Sequence, residues 1–217
     1  MKKTILSFVF CLSLVTLFAQ ESVELKNAGN EALKVKDYAK ALENFEKSIA
    51  VWGTGAQDFA MIYNTAYCAL QLKDYEKAIK YFDQCIAGNY KAEDVVFNKV
   101  IVYRMQKNNE EYLKMLNEGI AKFPESTKFK SELSKYYLLE GNSHYATGAT
   151  VLKSAIEKIT SKKYKDTNDP LYKADLKKSK EEFTAAIPLL AKSLELNPDN
   201  DNAKAIKAAC EKQLKAL

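Results

Sequence analysis

The chain has 217 residues, with 33 Lys and Arg against 28 Asp and Glu. Because 47% of the residues are hydrophobic and the charges are mixed in sign, the chain can bury a substantial core and is not intrinsically disordered. Seven Gly and four Pro are too few for the turns of an all-β sandwich, and one histidine, His144, argues against a multi-histidine metal site.

The first twenty residues have the layout of a secretory signal peptide. Two lysines are followed by an apolar run over 5–18, and the small residue Ala19 precedes Gln20. A retained membrane anchor is the alternative, but the run is shorter than the ~20 residues that span a bilayer. We therefore expect cleavage between Ala19 and Gln20, export to the periplasm, the cell envelope or the medium, and no membrane span afterwards.

The charge pattern does not indicate a nucleic-acid-binding protein. Removal of residues 1–19 would lower the net charge of +5 by two, and Arg104 is the only arginine. Phosphate-binding surfaces usually carry several arginines, because the guanidinium group binds phosphate in a bidentate manner. The lysines of 153–180 alternate with acidic residues, which is typical of a solvated helix face.

An internal repeat organises the rest of the chain. The segment 29–49 is similar to 66–86, and in both an Asp-Tyr pair is followed by an Ala and then by a Phe four residues later. Fainter copies place Leu116 and Leu190 at positions equivalent to those phenylalanines, and each is followed eight residues later by a proline. Self-similarity at such a period is the signature of a repeat architecture.

This pattern resembles the tetratricopeptide repeat, a helix–turn–helix unit of 34 residues. The matching residues are Gly29, Ala41 and Phe45 in the first unit, Ala78 and Phe82 in the second, Leu116 and Pro124 in the third, and Ala186, Leu190 and Pro198 in the last. The resemblance implies an all-α fold, a right-handed α-solenoid of antiparallel helix pairs in which neighbouring pairs supply each other's core. It is informative about the fold and much less so about function.

In chain order, we predict three helix pairs within 22–124, an elongated or degenerate hairpin over 126–200, and a capping helix at 201–217. The helices of the three pairs fall near 22–35 and 38–51, 57–72 and 75–87, and 91–106 and 109–122. Gly53, Gly55 and Gly88 mark the boundaries between the pairs.

The hairpin over 126–200 allows two interpretations. Apolar residues keep helical spacing throughout, which favours one long helix over 127–160 with Gly141 and Gly148 at close contacts. The alternative places a turn at Gly148. In either case, we expect Asp169 to cap the next helix, Pro170 to be its first residue and Pro188 to kink it.

Chemistry-bearing motifs are scarce in the sequence. No nucleophile elbow, Walker loop or dinucleotide fingerprint is present, so we expect no enzyme activity and no cofactor. His144 has no Ser or Cys partner in a recognisable motif and is interpreted as a packed histidine. Cys68, Cys85 and Cys210 are predicted to be buried, reduced thiols, because Cys68 and Cys85 lie out of register on antiparallel helices.

The first helix of each pair lines the concave surface in this family, and that surface is the predicted partner groove. Its aromatic and apolar side chains exceed what a solvated face requires, which indicates a protein or peptide partner. The alternative is that the C-terminal helices cover this surface. The candidate groove residues are Lys26, Asn30, Tyr63, Asn64, Tyr67, Phe97, Ile101 and Arg104.

Part of this groove resembles the carboxylate clamp of chaperone-binding tetratricopeptide domains. Lys26, Asn30 and Asn64 match the Lys and two Asn that hold a peptide's terminal carboxylate. Asp94 and Asn98 stand where that clamp has Lys and Arg. A carboxylate facing Asp94 would be repelled, so the resemblance does not extend to the complete clamp.

These features favour a non-catalytic, protein- or peptide-binding repeat module of the bacterial cell envelope. A structural component of an envelope or secretion assembly is the first alternative, and an enzyme or enzyme subunit is the second. The groove separates the first two hypotheses, because a groove filled by the protein's own helices would favour the structural role.

Export is directly testable. Protein recovered from the cell envelope should have the intact mass of a chain that begins at Gln20, because the signal peptide is expected to be removed after Ala19. Recovery of the full-length chain from the membrane fraction would instead support the retained anchor.

Overall fold

The computed structural model describes residues 20–52 and 57–217, and the regular structure in these ranges is entirely helical. The predicted all-α fold class is therefore confirmed. The predicted signal peptide and the boundary glycines Gly53 and Gly55 lie outside the described residues. The helices are α1 (20–34), α2 (Tyr38–Val51), α3 (Phe59–Gln71), α4 (Tyr75–Ala87), α5 (Ala92–Met105), α6 (Asn109–Lys122), α7 (Thr127–Thr160), α8 (Pro170–Leu196) and α9 (Asp201–Ala216).

The turns inside the three N-terminal helix pairs share one design. In each, a lysine adopts the left-handed backbone conformation that ends the first helix, and the next residue caps the second helix with its side-chain oxygen. The lysines are Lys36, Lys73 and Lys107, with φ values of 60°, 62° and 57°, and the capping residues are Asp37, Asp74 and Asn108. This recurrence shows that the sequence repeat is also a structural repeat.

The chain forms two compact units, one ending at Gly119 and the other beginning at Ile120. In the first two helix pairs of the N-terminal unit, small residues share the core with large ones. Ala41 and Ala78 are fully buried next to Phe45 and Phe82. A Cβ atom on Gly29 would lie 2.6 Å from the Phe45 ring, so the absence of a side chain allows α1 to approach α2 closely.

The C-terminal unit is built on a long antiparallel hairpin. Helix α7 is continuous from Thr127 to Thr160, which confirms the prediction of one long helix, and the alternative turn at Gly148 does not occur. Asp169 caps α8 by accepting a hydrogen bond from the Leu171 amide at 2.9 Å, and Pro170 is the first residue of that helix. Helix α9 packs on α8 through Ala203 and Cys210.

Small residues recur every seventh position along both helices of this hairpin. They allow the two backbones to approach closely, because a Cβ atom on Gly141 would lie 2.7 Å from Leu190 Cγ and one on Gly148 would lie 2.9 Å from the Phe183 ring. All of them are buried: Ser134, Gly141, Gly148 and Ala155 on α7, and Ser179, Ala186 and Ser193 on α8.

Serine hydroxyls bridge the helices at these crossings. Ser134 and Ser193 each donate a hydrogen bond to the other's backbone carbonyl at 2.9 Å, and Ser179 donates to the Gly148 carbonyl at 2.9 Å. The same reciprocal arrangement joins Ser22 to Ser48 in the N-terminal unit. These bonds satisfy the buried hydroxyls without adding volume, and they offset the cost of removing those hydroxyls from water.

The three cysteines of the described residues are free and buried, as predicted. Burial raises the pKa of the Cys68 and Cys85 thiols to about 11, so both are protonated at neutral pH. Because the thiolate is the reactive form, these cysteines contribute packing rather than nucleophilic chemistry. None of the helices described here combines the length and apolar character needed to cross a membrane.

We expect Ala186→Leu to lower the free energy of unfolding by about 1–3 kcal/mol, because overpacking forces the tightly packed helices apart. The control is Ala174→Leu, which makes the same change at an exposed position of α8 and should have little effect. Chemical denaturation monitored by circular dichroism measures both. Equal effects at the two positions would contradict the tight packing of α7 on α8.

Candidate functional site

The candidate site is the face formed by the first helix of each N-terminal pair, α1, α3 and α5, which we call the A-helix face. Most of the sequence-predicted groove residues are half-buried on this face, and Arg104 is exposed near the end of α5. The half-buried members are Lys26, Asn30, Tyr63, Asn64, Tyr67, Phe97 and Ile101. Side chains in this state are both held by the fold and accessible to a partner.

An ion pair links α1 to the start of α3. Lys26 Nζ lies 2.8 Å from Asp58 Oδ2, and the Asp58 carboxylate also caps α3 by accepting a hydrogen bond from the Met61 amide at 3.0 Å. Partial burial opposes ionisation of Asp58, but the hydrogen bonds from Lys26 and from Met61 outweigh it and lower the pKa of this carboxyl. The charge of Lys26 is therefore largely balanced within the protein.

Tyr63 is held from several sides and links α3 to α5. Asn98 Nδ2 donates a hydrogen bond to the Tyr63 hydroxyl at 3.0 Å. The Tyr63 ring lies 6.1 Å, centroid to centroid, from the rings of both Phe82 and Tyr90, and Lys91 Nζ lies 5.2 Å from its centroid. The aromatic centre of the A-helix face is thus fixed by packing before any partner binds.

Tyr67 lies one helical turn further along α3. Its ring meets the ring of Tyr38, the first residue of α2, edge to face at 6.1 Å. Burial, followed by the contact with Tyr38, raises the pKa of the Tyr67 hydroxyl above its ordinary value. Tyr67 therefore contributes to the packing between helix pairs as well as to the A-helix face, which the sequence did not predict.

Two asparagines complete the centre of the face. Within residues 20–52 and 57–217, the side-chain amides of Asn30 and Asn64 form no hydrogen bond with another protein group. Asn30 also lines a shallow depression on α1, together with Asn27, Glu31, Leu33 and Lys34. Each amide carries two N–H donors and a carbonyl acceptor, which match the backbone groups of an extended peptide.

The structure brings some predicted residues together through partners that the sequence analysis did not select. Lys26 contacts the start of α3 through Asp58, and Tyr63 contacts α5 through Asn98. A signal for Asp58 was available, since an aspartate directly before an apolar run is typical of a helix N-cap. No comparable signal exists for Tyr90 and Lys91, because their contacts with Tyr63 depend on the packing between helix pairs.

His144 has a partner on the neighbouring helix. Its Nδ1 lies 2.7 Å from Glu182 Oε2, which joins α7 to α8 in the C-terminal unit. The described part of the chain contains no group of three His, Cys, Asp or Glu side chains placed to hold a metal ion. This pair is distant from the A-helix face in the sequence, and it links the two helices of the α7–α8 hairpin.

We expect Asp58→Asn to lower the free energy of unfolding by about 0.5–1 kcal/mol at pH 7, because the amide retains the helix cap but loses the charge that pairs with Lys26. The pKa of Asp58 is lowered in the folded protein, so its contribution is complete above the unfolded pKa and disappears as pH falls through the folded pKa. Denaturation curves of the two chains should therefore begin to approach each other at about pH 4 and converge only at lower pH, below the folded pKa.

The matched control is Asp37→Asn, which changes the exposed carboxylate that caps α2. Its effect on stability should be smaller at pH 7. A pH-independent difference between Asp58→Asn and the unmodified chain would show that the ion pair with Lys26 contributes nothing.

Comparison with known proteins agrees with this architecture. Residues 26–92 match the tetratricopeptide-repeat family model. A tetratricopeptide-repeat protein from Bacteroides fragilis NCTC 9343 is 27% identical, with a TM-score of 0.53 over 88% of this chain and 98% of its own. A candidate protein-binding protein from Bacteroides ovatus ATCC 8483 is 14% identical, with a TM-score of 0.54 over 89% of this chain and 99% of its own.

A tetratricopeptide-repeat protein from Parabacteroides merdae ATCC 43184 is 14% identical, with a TM-score of 0.50 over 90% of this chain and 74% of its own. Comparison with curated protein sequences gives no significant match. The repeated helix pairs, the shared turn design and these similarities agree with one another. Residues 26–92 match tetratricopeptide repeats, and the chain as a whole has the fold of a tetratricopeptide-repeat protein.

Proposed function

We propose that the chain is a non-catalytic module of the bacterial cell envelope that binds an extended segment of a partner protein on its A-helix face. The observation that carries this proposal is the combination of fixed aromatic rings with side-chain amides that are unpaired among the described residues. Tyr63 is held by Asn98 and by neighbouring rings, while Asn30 and Asn64 retain donors and acceptors for a partner's backbone. A preorganised surface loses little conformational entropy when it binds.

The charges of the face favour an internal segment of the partner over a free C-terminus. Lys26 is already paired with Asp58, and Asp94 with Asn98 occupies the positions where a carboxylate clamp has cations. At these positions a terminal carboxylate would therefore not find the cations that hold it in that clamp. An internal segment brings amide groups instead, which suit Asn30 and Asn64.

Two further observations support the proposal. The first supports binding rather than catalysis, and the second supports a location in the cell envelope. The protein from Bacteroides ovatus, which shares this fold, is described as a candidate protein-binding protein. The apolar run over residues 5–18 has the features of a signal peptide, which supports an exported protein.

Site-specific photo-crosslinking in the cell tests the proposed face. A photoreactive residue at position 30 or 64 should capture a discrete protein partner, because both positions are half-buried on helices of the A-helix face. The controls are positions 40 and 80, which are exposed on the second helices of their pairs, α2 and α4. Capture from positions 40 and 80 alone would show that the outer helices bind the partner, and would favour the structural alternative.

With the partner in hand, substitutions measure the contribution of each group. Phe97→Ala should weaken binding about thirtyfold, since loss of an anchor side chain costs ~2 kcal/mol. Asn64→Ala should weaken it by a few-fold to about tenfold, which corresponds to one lost hydrogen bond. The matched control is Asn44→Ala on α2, whose amide bonds only to the carbonyl of Lys40 in its own helix.

Isothermal titration calorimetry gives the affinities, and circular dichroism shows whether each variant remains folded. If Asn44→Ala reduced affinity as much as Asn64→Ala, the partner would not be held on the A-helix face.

A further inference from the structure

The end of the α7–α8 hairpin extends beyond the helix that packs against its base. The apolar cluster that includes α9 reaches Leu152 along α7 and Phe183 along α8. Residues 153–180, which we call the hairpin tip, lie beyond that cluster and comprise the last turns of α7, the connecting loop and the first turns of α8.

The hairpin tip concentrates positive charge. Its 28 residues contain nine lysines against four acidic residues, which gives a net charge of +5, the formal net charge of the entire chain. The formal charges of the remaining residues therefore sum to zero. Among the described helix hairpins, this tip is the one whose end carries a strongly positive charge. Such a concentration produces a local positive potential that the overall composition conceals.

Three of the four acidic residues of the tip hold its own structure. Asp175 accepts hydrogen bonds from Lys158 Nζ at 3.0 Å and from the Tyr164 hydroxyl at 2.8 Å. Asp169 and Asp166 accept hydrogen bonds from backbone amides of the loop and of the start of α8. Because Asp175 pairs with Lys158, the net positive charge of the tip resides on the other lysines, while Asp166 and Asp169 keep their negative charges in and beside the loop.

Those lysines surround the tip without ion-pair partners. Among the described residues, six of the nine have no acidic group within 4 Å: Lys162, Lys163, Lys165, Lys173, Lys178 and Lys180. Five of the six are exposed, and the sixth is half-buried. Lys153 and Lys177 form only long contacts of 3.9 Å, and both side chains are 80% exposed.

Large apolar side chains are exposed among these lysines. Leu171 is 62% exposed in the first turn of α8, and Ile156 is 51% exposed near the end of α7. Tyr164, the aromatic residue of the loop, is instead buried beneath Lys158 and bonded to Asp175. Lysines interspersed with exposed aliphatic side chains are the combination that adsorbs to anionic bilayers.

We infer that the hairpin tip binds the surface of an anionic lipid membrane, a function separate from partner binding on the A-helix face. Lysines suit this role because a lipid surface presents many loosely placed phosphates rather than one fixed site. Nucleic acid is disfavoured, since the tip contains no arginine and of its two tyrosines Tyr164 is buried and Tyr172 is half-buried. The distribution of the lysines over the loop and both helices fits an extended charged surface better than one acidic protein patch.

Vesicle co-sedimentation of the purified full chain tests this inference. Binding should be tighter to vesicles of phosphatidylglycerol with phosphatidylcholine than to phosphatidylcholine alone, and added salt should reduce this difference. The triple variant Lys162→Glu, Lys163→Glu, Lys165→Glu should bind the anionic vesicles about a hundredfold less tightly, at about fivefold for each lysine. Any contribution of residues 1–19 is common to all variants and cancels in the comparison.

The matched control carries Lys36→Glu, Lys40→Glu and Lys80→Glu, with the same change in net charge. It also includes one lysine in the left-handed conformation, as the tip variant does, because φ is 60° at Lys36 and 58° at Lys162. This control should retain nearly all of the binding to anionic vesicles. Equal loss in the two triple variants would overturn the inference, because bulk charge alone would then explain the binding.

A second pair of variants tests the apolar contribution. Leu171→Ser should weaken binding several-fold, whereas Leu139→Ser, at a leucine that is 66% exposed outside the tip, should not. Two other results would also overturn the inference: a tip triple variant that binds the anionic vesicles as tightly as the unmodified chain does, or binding of the chain to polyglutamate without binding to anionic vesicles. The second result would identify an acidic protein as the partner of the tip.

Discussion

Close approach of helix backbones at small residues is the constraint on which both units depend. Gly29, Ala41 and Ala78 provide it in the N-terminal unit, and small residues at every seventh position provide it between α7 and α8. Where a side chain is absent, a Phe or Leu of the facing helix fills the space. Because protein interiors are close-packed, enlarging the small residue alone would create a clash, and shortening the facing large residue alone would leave a cavity.

The same packing determines what the two candidate surfaces can do. On the A-helix face, the rings of Tyr63 and Tyr67 are fixed by neighbours from adjacent helices, so the surface is formed before a partner arrives. At the hairpin tip, one network joins Lys158, Tyr164 and Asp175 and leaves the other lysines directed to solvent. Each surface therefore combines a rigid base with polar groups that are not needed for contacts within the fold.

Much of the fold followed from the sequence, and less of the site did. The helix pairs, the continuous α7 and the buried cysteines were predictable because they rest on local periodicity and on residue size. Contacts such as Lys26 with Asp58, Tyr63 with Asn98 and His144 with Glu182 join residues 32 to 38 positions apart, and periodicity cannot specify which side chains meet. The charge of the hairpin tip was visible in the sequence, but its significance depended on learning that Asp166, Asp169 and Asp175 are engaged internally.

The lysines with left-handed backbone conformation in the helix-pair turns make the protein less stable than it would be with glycine at these positions. A side chain other than glycine in that conformation costs about 1–2 kcal/mol, and three of these turns incur the cost at Lys36, Lys73 and Lys107. Glycine would remove the steric cost and lose only part of the gain to the flexibility of the unfolded chain. Since the lysine side chains hold none of the core, these positions could absorb changes that compensate for costly substitutions elsewhere, which would let the binding surfaces diverge while the scaffold stays folded.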